Sequence, residues 1–293
     1  MEGYRAILNE RQQSKRHLQQ QRQRQQRFLE QFKSKPFWVW NLQEHKRQYK
    51  LSFGKCCFNH IIGLAQKSGI SMPLFDYEKL LYDALITDTD NVYLDTKKQK
   101  HLWLLKTTGI GATEFFIRLM AWLCLRNDDM QNCNMCVVTG PRIELSTEIV
   151  NRIKGLFYNS TNESFEGMTF DSKETVCYLN KCKITSFPSH YIDSMHALTD
   201  VKFILCDEAD FLPKSEQDNV RTVCERYIAK SDPYIVLIST PHTPNGLMDK
   251  IGREPDDACI YKRFRFDYTV GLDRIYTKEQ IDKAKGSKLF DKE

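Results

Sequence analysis

The chain has 293 residues, of which 41% are hydrophobic and 28% are charged, as expected for a globular protein with one large domain or one domain plus appendages. No apolar run approaches the roughly 18 residues of a membrane-spanning helix, and the charged, glutamine-rich N-terminus does not resemble a secretory signal. The net charge of +5 and the isoelectric point near 8.6 permit contact with nucleic acid without requiring it.

Ten cysteines are scattered through the chain, and in the absence of a secretory signal they are expected to be free thiols in a reducing compartment. Two pairs could suggest a zinc site, Cys133 with Cys136 and Cys177 with Cys182. Only the first pair has the tight C-x₂-C spacing, and it lies at the start of a predicted buried strand. Since a structural zinc site needs about four ligands, buried thiols are the better interpretation.

Residues 1–50 are predicted to form a basic, glutamine-rich helical arm followed by an aromatic cap. Helix-forming residues dominate the first 35 positions, and Pro36–Trp40 then introduces three aromatic residues. Such an arm could touch nucleic acid or a neighbouring subunit, although a solvated and partly disordered leader explains the composition equally well.

The first predicted element of the main domain is a helix over residues 76–85, capped by Asp76. An apolar strand, Leu102–Leu105, then leads into a loop with two glycines, Lys106–Thr113, which opens an amphipathic helix over residues 115–125. Backbone N–H groups and a helix N-terminus that converge in this way form an anion-binding site. The pattern therefore predicts a phosphate-binding loop.

One residue of this loop departs from the regular P-loop pattern, G-x-x-x-x-G-K-[ST]. Ala112 stands where the lysine is expected, whereas a lysine, Lys106, stands at the front of the loop. Two alternatives follow: either Lys106 serves the phosphates, or the loop is inactive and Lys106 merely ends a strand.

Further apolar strands alternate with amphipathic helices along the rest of the chain. Strands are predicted at residues 135–139, 176–179, 182–187, 201–206 and 234–241, and helices at residues 143–158 and 218–230. This alternation is typical of an α/β fold with a mostly parallel sheet covered by helices on both faces. Because ligands bind at the carboxyl ends of such strands, one edge should gather Lys106, Asp207, Glu208, Ser239 and Thr240.

The acidic pair that follows the strand at residues 201–206 suits nucleotide hydrolysis. Asp207 would hold Mg²⁺, Thr113 would offer its hydroxyl to the same ion, and Glu208 would orient and deprotonate the attacking water. Lys106 would neutralise phosphate charge. Asp-Glu after an apolar run is weak evidence alone, but here it follows a glycine loop and precedes a Ser-Thr-Pro strand end.

Several segments, by their order, carry a resemblance to a known family. Four of them are Phe75–Glu78, Lys106–Thr113, Phe203–Asp210 and Ser239–Pro241, and two shorter ones, Thr139–Arg142 and Pro244–Gly246, follow the second and the fourth. Over residues 73–285 the chain resembles the ATPase domain of the large terminase subunit, the DNA-packaging motor of tailed phages. In that family the four segments correspond to the adenine-binding element, the Walker A loop, Walker B with the catalytic glutamate, and the coupling motif.

The resemblance implies a P-loop NTPase fold of the ASCE/RecA-like class with a helical N-terminal extension. The ATPase domain would occupy residues 51–270, and residues 271–293 would form a linker towards a nuclease domain. The Walker A loop would be of the deviant type, whose lysine stands at its start. The implied catalytic residues are Glu208, Lys106 and Thr240, the implied metal ligands are Thr113 and Asp207, and the implied nucleotide-binding residues are Lys106, Thr108, Gly109, Gly111, Ala112, Thr113, Tyr77 and Glu78.

Two departures from the family pattern concern individual residues. Glu78 replaces the usual glutamine of the adenine element and cannot donate a hydrogen bond when it is ionised. His196-Ala197 stands where many relatives have Arg-Gly, so the transition-state arginine is unassigned. Its candidates are Arg142, Arg221 and Arg226, each of which could equally be a solvated or structural arginine.

The resemblance also implies ligands and partners. These are ATP, Mg²⁺, double-stranded DNA, a portal ring, a small terminase subunit as a candidate contact, and further copies of the chain in a homo-oligomer. A virus- or provirus-encoded protein of the host cytoplasm, without membrane contact, is expected. The chain ends at Glu293, too early for a nuclease domain, so no nuclease activity is expected. Two other functions stay open: a helicase-like P-loop ATPase, and a silent nucleotide- or DNA-binding module.

Overall fold

The computed structural model describes residues 19–20, 23, 75–85, 100–126, 130–158, 169–242, 244–273 and 275–286. Of the predicted N-terminal arm, residues 19, 20 and 23 are described and are helical. The aromatic cap and residues 51–74 of the predicted ATPase domain lie outside the described residues. None of the helices described is long and apolar enough to span a membrane.

Six helices and eight strands make up the described fold. The helices are α1 (Asp76–Leu85), α2 (Ala112–Arg126), α3 (Ile143–Tyr158), α4 (Lys214–Ser231), α5 (Leu247–Gly252) and α6 (Lys278–Lys285). The strands are β1 (His101–Lys106), β2 (Asn134–Thr139), β3 (Thr169–Lys173), β4 (Val176–Leu179), β5 (Cys182–Pro188), β6 (Val201–Asp207), β7 (Tyr234–Ser239) and β8 (Lys262–Phe266). Short 3-10 helices span Ser189–Ala197, Ala209–Phe211 and Tyr268–Gly271.

All eight strands belong to one sheet, in the order β3-β4-β5-β2-β6-β7-β1-β8. The six strands from β5 to β8 in that order are parallel, and β4 runs antiparallel to its neighbours β3 and β5. This is the fold of a RecA-like P-loop NTPase, as the sequence predicted. Because β7 lies between β1 and β6, the ends of these three strands adjoin, and they carry Lys106, Asp207 and Ser239.

Apolar clusters cover both faces of the sheet. On β1, Leu102 and Leu104 belong to the cluster formed with α1, α2 and α3, whereas Trp103 belongs to the cluster formed with α4 and α5. Successive side chains of a strand point to opposite faces, so a strand covered on both sides must be apolar throughout. This explains why the central strands appear in the sequence as continuous apolar runs.

The two cysteines of the C-x₂-C pair do not converge. Cys133 belongs to the cluster on one face of the sheet and Cys136 to the cluster on the other. The Cys133 sulfur lies 3.4 Å from that of Cys182, and all eight cysteines that the structure describes are free. No three metal-ligating side chains gather anywhere in the described ranges. This arrangement agrees with buried thiols as the better interpretation.

Candidate nucleotide-binding site

The predicted phosphate loop connects the end of β1 to the start of α2. Gly109 and Gly111 have φ angles of +83° and +85°. The residue that precedes each glycine, Thr108 or Ile110, does not have a positive φ. Such alternation turns successive N–H groups towards one concave side and creates an anion-binding nest. Within the described part of the chain, the four N–H groups of residues 108–111 donate to no other residue. Together with the α2 N-terminus, they are the groups from which the sequence predicts an anion site.

Lys106, rather than position 112, supplies the cation beside this loop. Its side chain is 5% exposed, and its Nζ lies 2.5 Å from Glu208 Oε1 and 3.2 Å from Thr240 Oγ1. Ala112 is buried in the apolar cluster and can offer an anion only its backbone N–H. Thr108 Oγ1 lies 3.4 Å from Thr240 Oγ1, so the loop and the end of β7 are in contact. The structure thus brings Lys106, Glu208, Thr108 and Thr240 together.

Asp207 and Thr113 form a second pair at the same edge. Thr113 is the last residue of the predicted loop and lies in the first turn of α2. Its hydroxyl donates to Asp207 Oδ1 at 2.7 Å. Burial raises the pKa of Asp207, while the Thr113 hydrogen bond and the Lys106 charge act in the opposite direction. The two hard oxygen ligands predicted for a metal therefore lie within hydrogen-bonding distance of each other.

Glu208 adopts an unusual backbone conformation. Its φ and ψ of 50° and 51° are left-handed, a region that costs a non-glycine residue roughly 1–2 kcal/mol. The turn aims the carboxylate at β7, where Oε2 accepts a hydrogen bond from Thr240 N at 2.9 Å while Oε1 pairs with Lys106. The strained turn thus places the predicted catalytic carboxylate beside the loop.

Asp210 is a site residue that the sequence reasoning did not single out. It is buried, its backbone N–H donates to Ser239 Oγ at 3.1 Å, and its carboxylate accepts from the His242 N–H at 2.8 Å. These bonds tie the turn after β6 to the turn after β7. The signal available in the sequence was a carboxylate two residues after Glu208.

Tyr77 and Glu78 of the predicted adenine element make different contacts: Tyr77 contacts the phosphate loop, and Glu78 contacts the start of its own helix. The Tyr77 hydroxyl donates to the Ile110 carbonyl of the phosphate loop, and its ring lines a cavity of about 370 Å³ together with Leu80 and Phe266. Glu78 instead accepts a hydrogen bond from Phe75 N at 2.8 Å and caps its own helix. Burial raises the pKa of Glu78 to about 7, so near neutrality about half of this carboxyl is neutral and can donate.

A second cleft, of about 600 Å³, lies on the α5 side of β1. Trp103 and Arg265 form part of its wall, and it reaches Lys106 and Thr107 at the strand end. Lys106 therefore borders open space although its side chain is almost fully buried.

None of the three candidate arginines pairs with the acidic residues of the site within the described ranges. Arg142 is exposed after β2, and Arg221 pairs with Glu225 and Glu254 at 2.7 and 2.6 Å. Arg226 lies 3.0 Å from His196, a residue of the 3-10 helix that follows β5.

Arg152 of α3, which is not among these candidates, acts electrostatically on Asp207. It donates to Glu114 Oε2 at 2.8 Å, and its charge helps to lower the pKa of Asp207 against the effect of burial. Glu114 also accepts from Arg118 at 2.7 Å, and although burial raises its pKa, the two arginines hold it below its usual value. Nothing in the local sequence marks Arg152, because its position depends on how α3 packs against α2.

A sequence model of the DEAD/DEAH box helicase family matches residues 88–246, more than half of the chain. The chain belongs to the DEAD/DEAH box helicase family. In one-letter code, residues 207–210 spell the tetrapeptide for which the family is named, and they are the residues around which the site is built. A comparison with curated proteins found no match.

Solved structures similar to this DEAD/DEAH box chain include two phage terminases. The HK97 bacteriophage large terminase is 12% identical with a TM-score of 0.59, over 77% of this chain and 50% of that one. A large terminase from a thermophilic bacteriophage is 10% identical with a TM-score of 0.54, over 72% of this chain and 50% of that one. At these identities the likeness shows a shared fold. The chain spans about half the length of each of these terminases.

Proposed function

We propose that this chain is an ATP-hydrolysing motor domain that moves double-stranded DNA, as the ATPase domain of a large terminase subunit does when a viral genome enters a procapsid. The observation that carries this proposal is the convergence of Lys106, Glu208 and the Thr113–Asp207 pair at the mouth of the phosphate loop. Family membership supports the coarser statement that this is a P-loop ATPase domain.

The inward-facing N–H groups of the loop and the Lys106 ammonium would bind the β- and γ-phosphates. Lys106 is paired with Glu208 in this structure, so binding a phosphate would draw it away from that carboxylate. Glu208 Oε1 would then be free to accept a proton from water, while Thr240 N still holds Oε2 in place. Lys106 would in this way couple phosphate binding to the release of the general base.

The Thr113 hydroxyl and the Asp207 carboxylate fit a Mg²⁺ ion. Mg²⁺ in nucleotide sites takes one or two protein oxygens and completes its shell with phosphate and water, and these two oxygens lie 2.7 Å apart. A bound Mg²⁺ would neutralise charge on the phosphates during transfer. Burial disfavours the charged form of Asp207. A cation at this position would therefore also stabilise the buried carboxylate.

Domain limits and partners belong to the same proposal. Residues 51–270 would form the ATPase domain, and residues 271–293, which include α6, would link it to a further domain. A portal ring, a small terminase subunit and other copies of the chain would be the partners of the working motor, in the cytoplasm of a host cell. The fold shared with the two phage large terminases supports this proposal.

A helicase-like, nucleic-acid-dependent ATPase is the second candidate, and the family match favours it. The two candidates differ in their response to nucleic acid. A packaging motor should be stimulated by blunt duplex DNA and by portal, without separating strands. A helicase-like enzyme should be stimulated best by single strands and should release a labelled strand from a partial duplex.

The test is steady-state ATP turnover by the wild type and by Glu208→Gln and Lys106→Ala, with and without duplex DNA. Glu208→Gln should lower kcat by about 10²–10⁴-fold while ATP binding persists, because only the base is lost. Lys106→Ala should weaken ATP binding and lower kcat together. Glu174→Gln, in an exposed turn between β3 and β4, is the matched control and should behave as wild type.

Two results would overturn the assignment. Turnover that survives Glu208→Gln would show that another group activates water. A wild type that binds ATP but shows no turnover with DNA and portal present would identify a silent nucleotide-binding module instead.

A further inference from the structure

We infer that Tyr77 and Tyr276 are positioning residues that hold the amides of the phosphate loop towards the bound phosphates. The inference rests on the proposed nucleotide binding and deepens it. Both side chains reach the loop from outside, one from α1 and the other from the segment just before α6. They are 199 positions apart in the chain, and both contact the loop.

Each tyrosine contacts a different carbonyl of the loop. The Tyr276 hydroxyl donates to the carbonyl oxygen of Thr108, and the Tyr77 hydroxyl donates to that of Ile110. These two carbonyls alternate with the glycines of the nest. The peptide units fixed in this way are therefore the two that carry the N–H groups of Gly109 and Gly111.

In a planar trans peptide the C=O and the N–H point in opposite directions. A hydrogen bond that holds the Thr108 carbonyl outward consequently holds the Gly109 N–H inward, and the same relation joins the Ile110 carbonyl to the Gly111 N–H. If either peptide unit rotated, a carbonyl oxygen would face the phosphate in place of an N–H group. Such a rotation would replace attraction by repulsion.

Glycine makes this external restraint necessary. Gly109 and Gly111 occupy the left-handed region, with φ of +83° and +85°, but glycine populates many other conformations with little cost. A β-carbon on Gly109 would lie 3.1 Å from the Tyr276 hydroxyl oxygen, which leaves little room for a side chain there. The hydroxyl contacts limit the loop to the phosphate-binding conformation before a ligand arrives, which lowers the cost of ordering it on binding.

The two phenols are themselves fixed by their surroundings. The Tyr77 ring is 3% exposed and lies between Phe75 and Phe266, with ring centroids 5.4 and 5.6 Å away. The Tyr276 ring packs against Gly271, where an added β-carbon would meet a ring carbon at 2.9 Å, and its backbone N–H donates to the Gly271 carbonyl at 3.1 Å. Burial raises the pKa of both hydroxyls, so each stays protonated and able to donate.

The experiment compares Tyr276→Phe and Tyr77→Phe with the wild type in binding ATP and inorganic tripolyphosphate, both with Mg²⁺. Each substitution removes one hydroxyl and keeps the ring. Each substitution should lower the affinity for both ligands by about three- to tenfold, as expected for the loss of one hydrogen bond. The double variant should lower the affinity by the product of the two factors. KM for ATP should rise similarly while kcat stays within about twofold, since a preformed loop affects binding more than chemistry.

We call the two tyrosine hydroxyls that bind the Thr108 and Ile110 carbonyls the clamp. Tripolyphosphate has no base, so a change in its affinity reports on the clamp and not on any contact between Tyr77 and a base in the neighbouring cavity. Tyr191→Phe, at a residue 60% exposed after β5, is the matched control and should change neither ligand's affinity. Thermal melting of each variant establishes that it is folded. If Tyr77→Phe were misfolded, Tyr276→Phe, whose ring is only partly buried, would still decide the question.

Unchanged tripolyphosphate affinity in folded Tyr276→Phe would overturn the inference, as would a loss confined to ATP. These outcomes are distinct from a failure of the proposed function. If the wild type itself neither bound nor hydrolysed ATP, the proposed ATPase would be wrong; if it did both and the variants bound phosphates normally, only the clamp would be wrong.

Discussion

At the scale of single residues, the site depends on side chains whose neighbours change their ordinary behaviour. Glu208 is held in a left-handed conformation, and Lys106 is buried but paired with it. Glu78 is a carboxyl that burial keeps about half protonated at neutral pH. Each of these effects comes from surroundings that a list of residue types does not contain.

The raised pKa of Glu78 makes stability depend on pH. Its pKa is about 7 in the fold against an ordinary value of 4.5, so the folded protein binds the proton more tightly than the unfolded chain does. The associated stability is fully present below pH 4.5 and is lost as the pH rises from 4.5 to about 7. The total is at most about 3.5 kcal/mol in unfolding free energy.

Glu78→Gln should remove this dependence, because the amide keeps an acceptor for the Phe75 N–H but does not ionise. We expect the variant to be more stable than the wild type at pH 8 and nearly equal to it at pH 4.5. Urea unfolding at several pH values measures the effect, with Glu174→Gln as the exposed control. A wild-type advantage at pH 8 would contradict the prediction.

At the scale of elements, the turns after β6 and β7 are joined through α4 and α5. Gln217, 2% exposed on α4, donates to the Leu212 carbonyl at 2.8 Å and to the Asp210 carbonyl at 3.3 Å. It also accepts from the Leu247 N–H at 2.8 Å, at the start of α5. One amide therefore fixes the turn that carries Asp210 to the helix that follows β7.

Gln217→Ala should destabilise the fold by about 2–3 kcal/mol, because it leaves buried backbone groups without partners. Chemical denaturation measures the loss. Asn219→Ala, on the exposed side of the same helix, removes only a surface contact to Asp193 and should cost less than about 0.5 kcal/mol. Equal effects of the two substitutions would show that the buried network contributes little.

At the scale of the whole molecule, the carboxyl edge of the sheet joins the candidate nucleotide-binding site to an exposed aromatic pair. Phe211, 46% exposed, stacks on His242 with ring centroids 4.1 Å apart and an angle of 11° between the planes. The Phe211 N–H donates to the Glu208 carbonyl at 3.0 Å, and the His242 N–H donates to Asp210. A change at Glu208 would therefore reach this surface through one or two hydrogen bonds.

We expect Phe211→Ala to lower the stimulation of ATP turnover by nucleic acid several-fold, with turnover in the absence of nucleic acid within about twofold of wild type. The reason is that an exposed ring beside the site can contact a nucleic acid without contributing to phosphate binding. Turnover measured over a range of DNA concentrations tests this, with Tyr191→Phe as control. Full stimulation of Phe211→Ala would exclude the pair from the nucleic-acid contact.

The sequence by itself determined the fold class and which charged side chains end the central strands. Long apolar runs identified the central strands because a strand covered on both faces must be apolar throughout. It missed the edge strands β3 and β8; in β8, Lys262–Phe266, charged and aromatic residues alternate because only part of an edge strand is buried. Lys106, Asp207 and Glu208 could be predicted to lie together because parallel strands end at one edge.

Only the tertiary structure decided how those residues are held. The two tyrosines that contact the phosphate loop, Tyr77 and Tyr276, come from distant segments. The contact between Arg152 and Glu114 depends on the packing of α3 against α2. Sequence patterns report periodicity and local propensity, which determine where strands and helices form. Contacts between segments far apart in the chain, burial, and the pKa values that follow from burial are properties of the assembled fold.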